Sequence, residues 1–194
     1  MRQKIYLAFD ISTSRIGIGL FNEDYSFKEV KLLALDIEKD VQEQHRLLAK
    51  GKVLEKYLEM FEEYEVLGII IEDPLKGSNN QFTSNMLMRF NGICSYMLYE
   101  KFKVLPEFIT VYDWRKQLCP EFIVLKGKKL VHSFPKDVDK KVYVLEKLTK
   151  LYPTLGWGYK KTGTHKDGNF DMADAIGIGL GYFIREKLIT INQQ

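Results

Sequence analysis

Short apolar runs fill the first quarter of the chain. Residues 4–11 (K-I-Y-L-A-F-D-I) and 15–22 (R-I-G-I-G-L-F-N) are β-branched and aromatic around S-T-S, which predicts two strands of a hairpin. Residues 27–37 add a third strand. Over 40–64 the period changes: Leu47, Leu48, Leu54, Leu58 and Phe61 recur at helical spacing among long charged residues, with Asp40 placed to cap the N-terminus. Residues 66–71 form a continuous apolar run, the mark of a central strand covered on both faces. Residues 80–101 predict a helix apolar on more than one side (Phe82, Met86, Leu87, Phe90, Ile93, Met97, Leu98), which belongs in a core or a subunit interface.

A fifth strand over 104–111 and a short helix at W-R-K-Q-L follow. Residues 121–136 read as a basic irregular loop, and 137–151 as an amphipathic helix through Val138, Val142, Leu145 and Leu148, stopped by Pro153. The glycine-rich stretch 153–170 is expected to be a mobile loop. Residues 171–189 alternate like a strand at I-G-I-G-L-G, but their flanks are helical in type. As a helix, they place Gly177 and Gly181 on one face, close against the sheet. Each glycine gives up ~1 kcal/mol of propensity against alanine, which close packing must offset. The order of the longer elements, βββαβαβαα, predicts an α/β fold with a mixed five-stranded sheet flanked by helices, one domain over 1–194.

Composition narrows the class. No apolar run reaches the ~20 residues that span a bilayer, and the N-terminus meets Asp10 too early for a signal peptide. Cys94 and Cys119 have no metal or redox spacing, so both are expected as buried thiols in a reducing, cytoplasmic setting (the host cytosol if phage-encoded). The net charge is only +3, yet residues 101–166 hold 15 Lys/Arg against 6 Asp/Glu while 1–100 hold 12 against 16. A basic block beside an acidic one suits a protein that meets phosphates with one and binds cations with the other; a solvated lysine-rich face is the plainer use of the same charges.

Four carboxylates stand at the ends of apolar segments. Asp10 closes I-Y-L-A-F-D, Glu72 closes V-L-G-I-I-I-E, and Asp171 and Asp174 open D-M-A-D-A-I-G-I-G-L. Singly each has a structural use: Asp10 or Glu72 in a turn, Asp171 or Asp174 as a helix cap. Asp73, His165 and Asp167 read as loop residues. Together, three elements converging at one sheet edge suggest a shared cation site, since so many anions repel unless neutralised. All-oxygen donors favour Mg²⁺, with Mn²⁺ able to substitute, and two such ions can drive phosphodiester hydrolysis.

F-D-I-S-T-S-R-I-G-I-G-L, I-I-I-E-D-P and F-D-M-A-D-A-I-G-I-G-L, in that order and spacing, resemble the signature segments of the RuvC-type Holliday junction resolvases over nearly the whole chain. The resemblance implies a ribonuclease H-like fold and a divergent, phage-type member. It implies a homodimer that makes paired nicks in four-way junctions or other branched DNA and leaves 5′-phosphates. Asp10, Glu72, Asp171 and Asp174 would then be metal ligands and catalytic residues. Arg115, Lys116, Lys140 and Lys141 would contact phosphates, with Lys76 and Phe82 as further DNA contacts, and the helix at 80–101 would form the dimer. Two features depart from the family pattern: Leu75 stands where an aromatic junction wedge is usual, a role Phe82 could take, and the basic insertion at 121–135 is long. The first motif also resembles the phosphate hairpin of actin-like sugar kinases, but no second such hairpin follows. A non-catalytic branched-DNA-binding protein on the same fold is the other alternative.

Overall fold

The computed structural model describes residues 2–37, 41–74 and 81–190. Strands β1 (Gln3–Ile11), β2 (Arg15–Asn22) and β3 (Phe27–Ala34) form an antiparallel meander; β4 (Tyr64–Asp73) and β5 (Glu107–Thr110) join parallel on the other side. The sheet order is β3-β2-β1-β4-β5. It is the expected mixed five-stranded sheet, and the parallel pairing brings the C-terminal ends of β1 and β4 to one edge.

Side-chain alternation gives this sheet two cores. Ile5, Leu7 and Phe9 of β1 pack with Ile69 and Ile71 of β4 under α1 (Glu43–Tyr57) and α2 (Gln81–Phe102), through Leu54, Phe90, Cys94 and Leu98. Ala8, Phe21, Ile70 and Ile109 face the other way, toward α3 (Val111–Leu118), α4 (Lys140–Leu151) and α5 (Gly168–Arg185). Both cysteines are buried, and burial pushes their thiols up to about 12. No helix among the described residues is long and apolar enough to cross a membrane.

Several expectations need correction. The first helix ends at Tyr57 and a 3₁₀ turn over Leu58–Phe61 precedes β4; the expected cap Asp40 lies outside the described residues, and Gln42 holds the N-cap position. Only Phe90, Asn91, Cys94 and Leu98 of α2 are buried, while Phe82 is 65% exposed, which removes its core reading. The supposed irregular loop at 121–136 contains a second sheet, β6 (Ile123–Lys126) paired antiparallel with β7 (Lys129–His132). Lysines at the strand ends hid the alternation.

The glycine-rich stretch before α5 is pinned rather than open. Tyr159 bridges His165, and the buried Asn169 side chain accepts from Gly158 N (3.0 Å) and donates to Gly158 O (2.7 Å). Helix α5 therefore starts at Gly168, with Asp171 and Asp174 inside it and not capping it.

The glycines divide their work differently from the expectation. A Cβ on Gly177 would meet the Trp114 ring at 2.7 Å, and one on Gly181 the Trp114 backbone at 2.7–2.8 Å, so these two press on α3. The approach to the sheet is made by β2: a Cβ on Gly17 would lie 2.1 Å from the Asp171 carbonyl oxygen. Helix propensity alone predicts that Gly181→Ala stabilises the protein by ~1 kcal/mol. Because the obstructing atoms are backbone, we expect it to destabilise by ~1–3 kcal/mol in urea unfolding, as overpacking does. A more stable variant would show that α3 and α5 have slack between them.

Candidate active site

Strand periodicity decides where the acids point. Ala8 of β1 and Ile70 of β4 face α5, so Asp10 and Glu72, two residues further along each strand, face it too. Phe9 is level with Ile71 in the parallel register, which brings Asp10 and Glu72 to neighbouring positions at the same edge. Directly across from Asp10 on β2 is Gly17, the residue α5 lies against at Asp171. Asp174 is one helical turn further on and only 7% exposed. All four acids thus lie on one side of the sheet near the ends of β1 and β4, with Glu72, Asp171 and Asp174 in electrostatic reach of Asp10.

Burial, and for Asp10 the charges of its neighbours, registers in their proton affinities. Burial first, then the charges of Asp174, Glu72 and Asp171, push the Asp10 carboxyl well above its ordinary value. Burial raises Glu72 to about 6, even though the Trp114 indole N–H donates to its Oε2 at 2.6 Å and holds it down. Asp171 and Asp174 are raised by burial too, against the pull of nearby cations.

The sequence names Arg115 and Lys141 as phosphate contacts, but not Arg15, and not the pairing of any of the three with the acids. Arg15 Nε stands 2.8 Å from Asp171 Oδ2, a buried ion pair whose positive charge pulls against the rise of the Asp171 carboxyl. Arg115 Nη2 and Lys141 Nζ lie 3.7 and 3.8 Å from Asp174. Arg115 also rests on the Trp114 ring, 4.8 Å from its centroid. Part of the neutralisation assigned to metal is therefore done by basic side chains. Trp114 and Arg15 had signals in the sequence: D-W-R places an indole beside a cation, and Arg15 opens β2 right after the turn.

The remaining expected site residues are scattered. Lys140 lines a groove with Tyr112, Arg115, His132 and Phe134, and Lys116 is half-buried on the same helix as Arg115. Phe82 sits exposed in the first turn of α2. Lys76 and Leu75 lie outside the described residues. Asp167 pairs with Lys160 in solvent, and His165 Nδ1 is bonded to Asn169 and stacked on Tyr159, all structural uses.

Among the described residues no three His, Cys, Asp or Glu side chains stand in ligating geometry for a metal ion. The donor set still fits a hard divalent cation: it is all carboxylate, half-buried or buried, and burial leaves each of the four with a raised proton affinity.

No protein-family model matches the chain, and no curated protein matches it by sequence. Solved structures do. The yeast mitochondrial Holliday junction resolvase Ydc2 superposes with a TM-score of 0.61 at 13% identity, over 96% of this chain and 80% of that one. RuvC of Thermus thermophilus in complex with Holliday junction substrate gives 0.59 at 11% identity, over 95% and 97%. A second T. thermophilus RuvC structure gives 0.55 at 10%. The fold is that of the RuvC-type resolvases. At such identities the likeness to RuvC concerns the backbone; the roles of side chains rest on their own geometry.

The raised acids carry a sign that can be measured. Below pH 4.5 Glu72 is neutral folded or unfolded; as pH rises through about 6 the folded state must hold its charge, and stability present at low pH is lost. Glu72→Gln keeps an acceptor for Trp114. In EDTA it should match wild type below pH 4.5 and exceed it above about 6. The gain is at most about 2 kcal/mol, less where water reaches the carboxylate. Thermal melts would read it as ~2–4 °C per kcal/mol. Equal melting temperatures on both sides of that window would mean Glu72 carries no electrostatic strain.

Proposed function

We propose that the protein is a divalent-metal-dependent endonuclease that nicks four-way junctions or related branched DNA as a homodimer. The observation that carries this reading is the convergence of Asp10, Glu72, Asp171 and Asp174 over one edge of a RuvC-type sheet. Asp10, Glu72, Asp171 and Asp174 would hold Mg²⁺, or Mn²⁺ in its place. Bound there, the metal would supply an acidified water and charge stabilisation at the phosphorus.

The chain's own side chains prepare that chemistry. Trp114 fixes the Glu72 carboxylate, and Arg15 fixes Asp171. Arg115 and Lys141, within 4 Å of Asp174, are positioned to exchange that carboxylate for an incoming phosphate. Lys116 and Lys140 would follow the backbone outward. The outer face of α2, with Met88, Gly92, Tyr96 and Tyr99 exposed along one stripe, supports a second copy of the chain there. Two copies would present two pockets for paired nicks.

A second reading has its own support. Basic side chains already pair Asp171 and Asp174, as in a branched-DNA-binding protein that no longer cuts. A nicking assay on a synthetic four-arm junction with Mg²⁺ decides between them. Symmetric paired nicks support the nuclease, whereas tight binding without cleavage supports the binder.

Two variants refine the test. Asp174→Asn should bind junctions at least as well as wild type, yet cut them ~100-fold more slowly or worse; cleavage at the wild-type rate would remove Asp174 from the mechanism. Lys140→Ala should weaken binding to every DNA alike and lower the log–log salt slope by ~0.9. An unchanged slope would make Lys140 a merely solvated residue.

A further inference from the structure

The β6–β7 hairpin is firmly rooted yet presents apolar side chains to solvent. At its base the buried His132 packs with Phe122 and Phe134. Its backbone N–H donates to the Tyr112 hydroxyl at 3.1 Å, and its Nε2 lies 3.0 Å from the Cys119 carbonyl. Ser133 N–H donates to Phe122 O at 2.9 Å. At the tip Gly127, at φ 64°, supplies the left-handed residue that a tight hairpin turn needs.

Register sorts the tip residues. Ile123 and His132 face each other, as do Leu125 and Leu130 on the same side of the ribbon; Val124–Val131 and Lys126–Lys129 occupy the other side. Leu125 is 68% exposed and Leu130 is 69% exposed. Exposed strand edges are commonly guarded by charge, lysine above all, so an exposed apolar cross-strand pair ringed by Lys126, Lys128 and Lys129 calls for a partner that is both apolar and anionic. Acids close in sequence do little to cancel those lysines: Glu121 is held by Lys147 and Tyr143, and Asp139 caps α4, while Asp137 is exposed.

The hairpin root also opens on the catalytic side. Tyr112, His132, Phe134 and Lys140 line one groove with Arg115, and Arg115 reaches Asp174. We propose that this hairpin recognises the branch: Leu125 and Leu130 enter between bases at a DNA branch point while Lys126, Lys128 and Lys129 hold the flanking phosphates. Unstacked bases offer apolar faces beside fixed negative charge, the combination the tip matches. Leucine is among the side chains that serve as wedges, and an intact duplex must first be unstacked to admit one, whereas a branch offers steps already open. The inference rests on the nuclease reading of the carboxylate site.

The experiment uses the full chain in EDTA, with a four-arm junction carrying 2-aminopurine beside the branch and a linear duplex of one arm's sequence. Wild type should raise the fluorescence and prefer the junction. Leu125→Ser/Leu130→Ser should lose the fluorescence rise and about tenfold of the preference, with its salt slope and melting temperature unchanged. Lys126→Ala/Lys128→Ala/Lys129→Ala should weaken junction and duplex alike and lower the slope by up to ~2.7. A leucine variant that keeps both fluorescence rise and preference overturns the inference while wild-type Mg²⁺-dependent nicking still stands. A wild type that neither prefers nor nicks the junction overturns the reading of the site and the inference with it.

Discussion

The approach of α5 to β2 governs everything else in the molecule. There is no room for a methyl group between Gly17 and the Asp171 carbonyl, nor for a relaxed one between Gly19 and Ala175. That contact lays a polar, acid-bearing turn of helix across the ends of β1 and β4. On its other side α5 is held by Trp114, which fits only because Gly177 and Gly181 are bare. Trp114 then spends its indole N–H on Glu72. One packing constraint therefore positions a helix and orients a carboxylate on a strand that the helix only crosses.

The site so assembled is electrostatically frustrated. Burial raises every member of the carboxylate group, and three of them raise Asp10 further. Proteins seldom keep such a cluster without a compensating charge, because the acids would otherwise take up protons at neutral pH. Arg15, Arg115 and Lys141 compensate in part: they stand against Asp171 and Asp174, and from further off Arg115 and Lys141 also pull on Glu72 and Lys141 on Asp10. All four keep raised values even so. Asp10, on the sheet side, is the member that feels the charges of the other three.

The fold was legible where two periodicities were strong. The apolar alternation of 4–11 and 15–22 and the continuous run at 66–71 fixed strands and their burial, and the ends of those runs marked Asp10 and Glu72. Legibility failed where a residue's use depends on a distant partner. Nothing local says that Gly177 and Gly181 meet an indole from α3 instead of the sheet, or that Arg115 and Lys141 turn inward to a carboxylate. The 121–136 stretch was misread because its strands are four residues long and end in lysines, too short for alternation to register. The 153–170 stretch was misread because Asn169, a single buried amide, supplies the hydrogen bonds that glycine content alone would not suggest.

Arg115 and Lys141 tie the acidic and basic halves of the chain together. Each lies near Asp174 at a distance longer than a directed hydrogen bond, with Lys141 mostly exposed and Arg115 half-buried against Trp114. Such loose pairs contribute little to stability on their own, the more so when one partner is solvated. Their value lies in being replaceable. A phosphate offers the same cations a stronger, multi-oxygen acceptor, and its arrival would uncover Asp174 just as the anionic load of the pocket rises. On the proposed nuclease reading, substrate and divalent cation would then reinforce each other's binding through Asp174, because each relieves charge that the other creates or exposes.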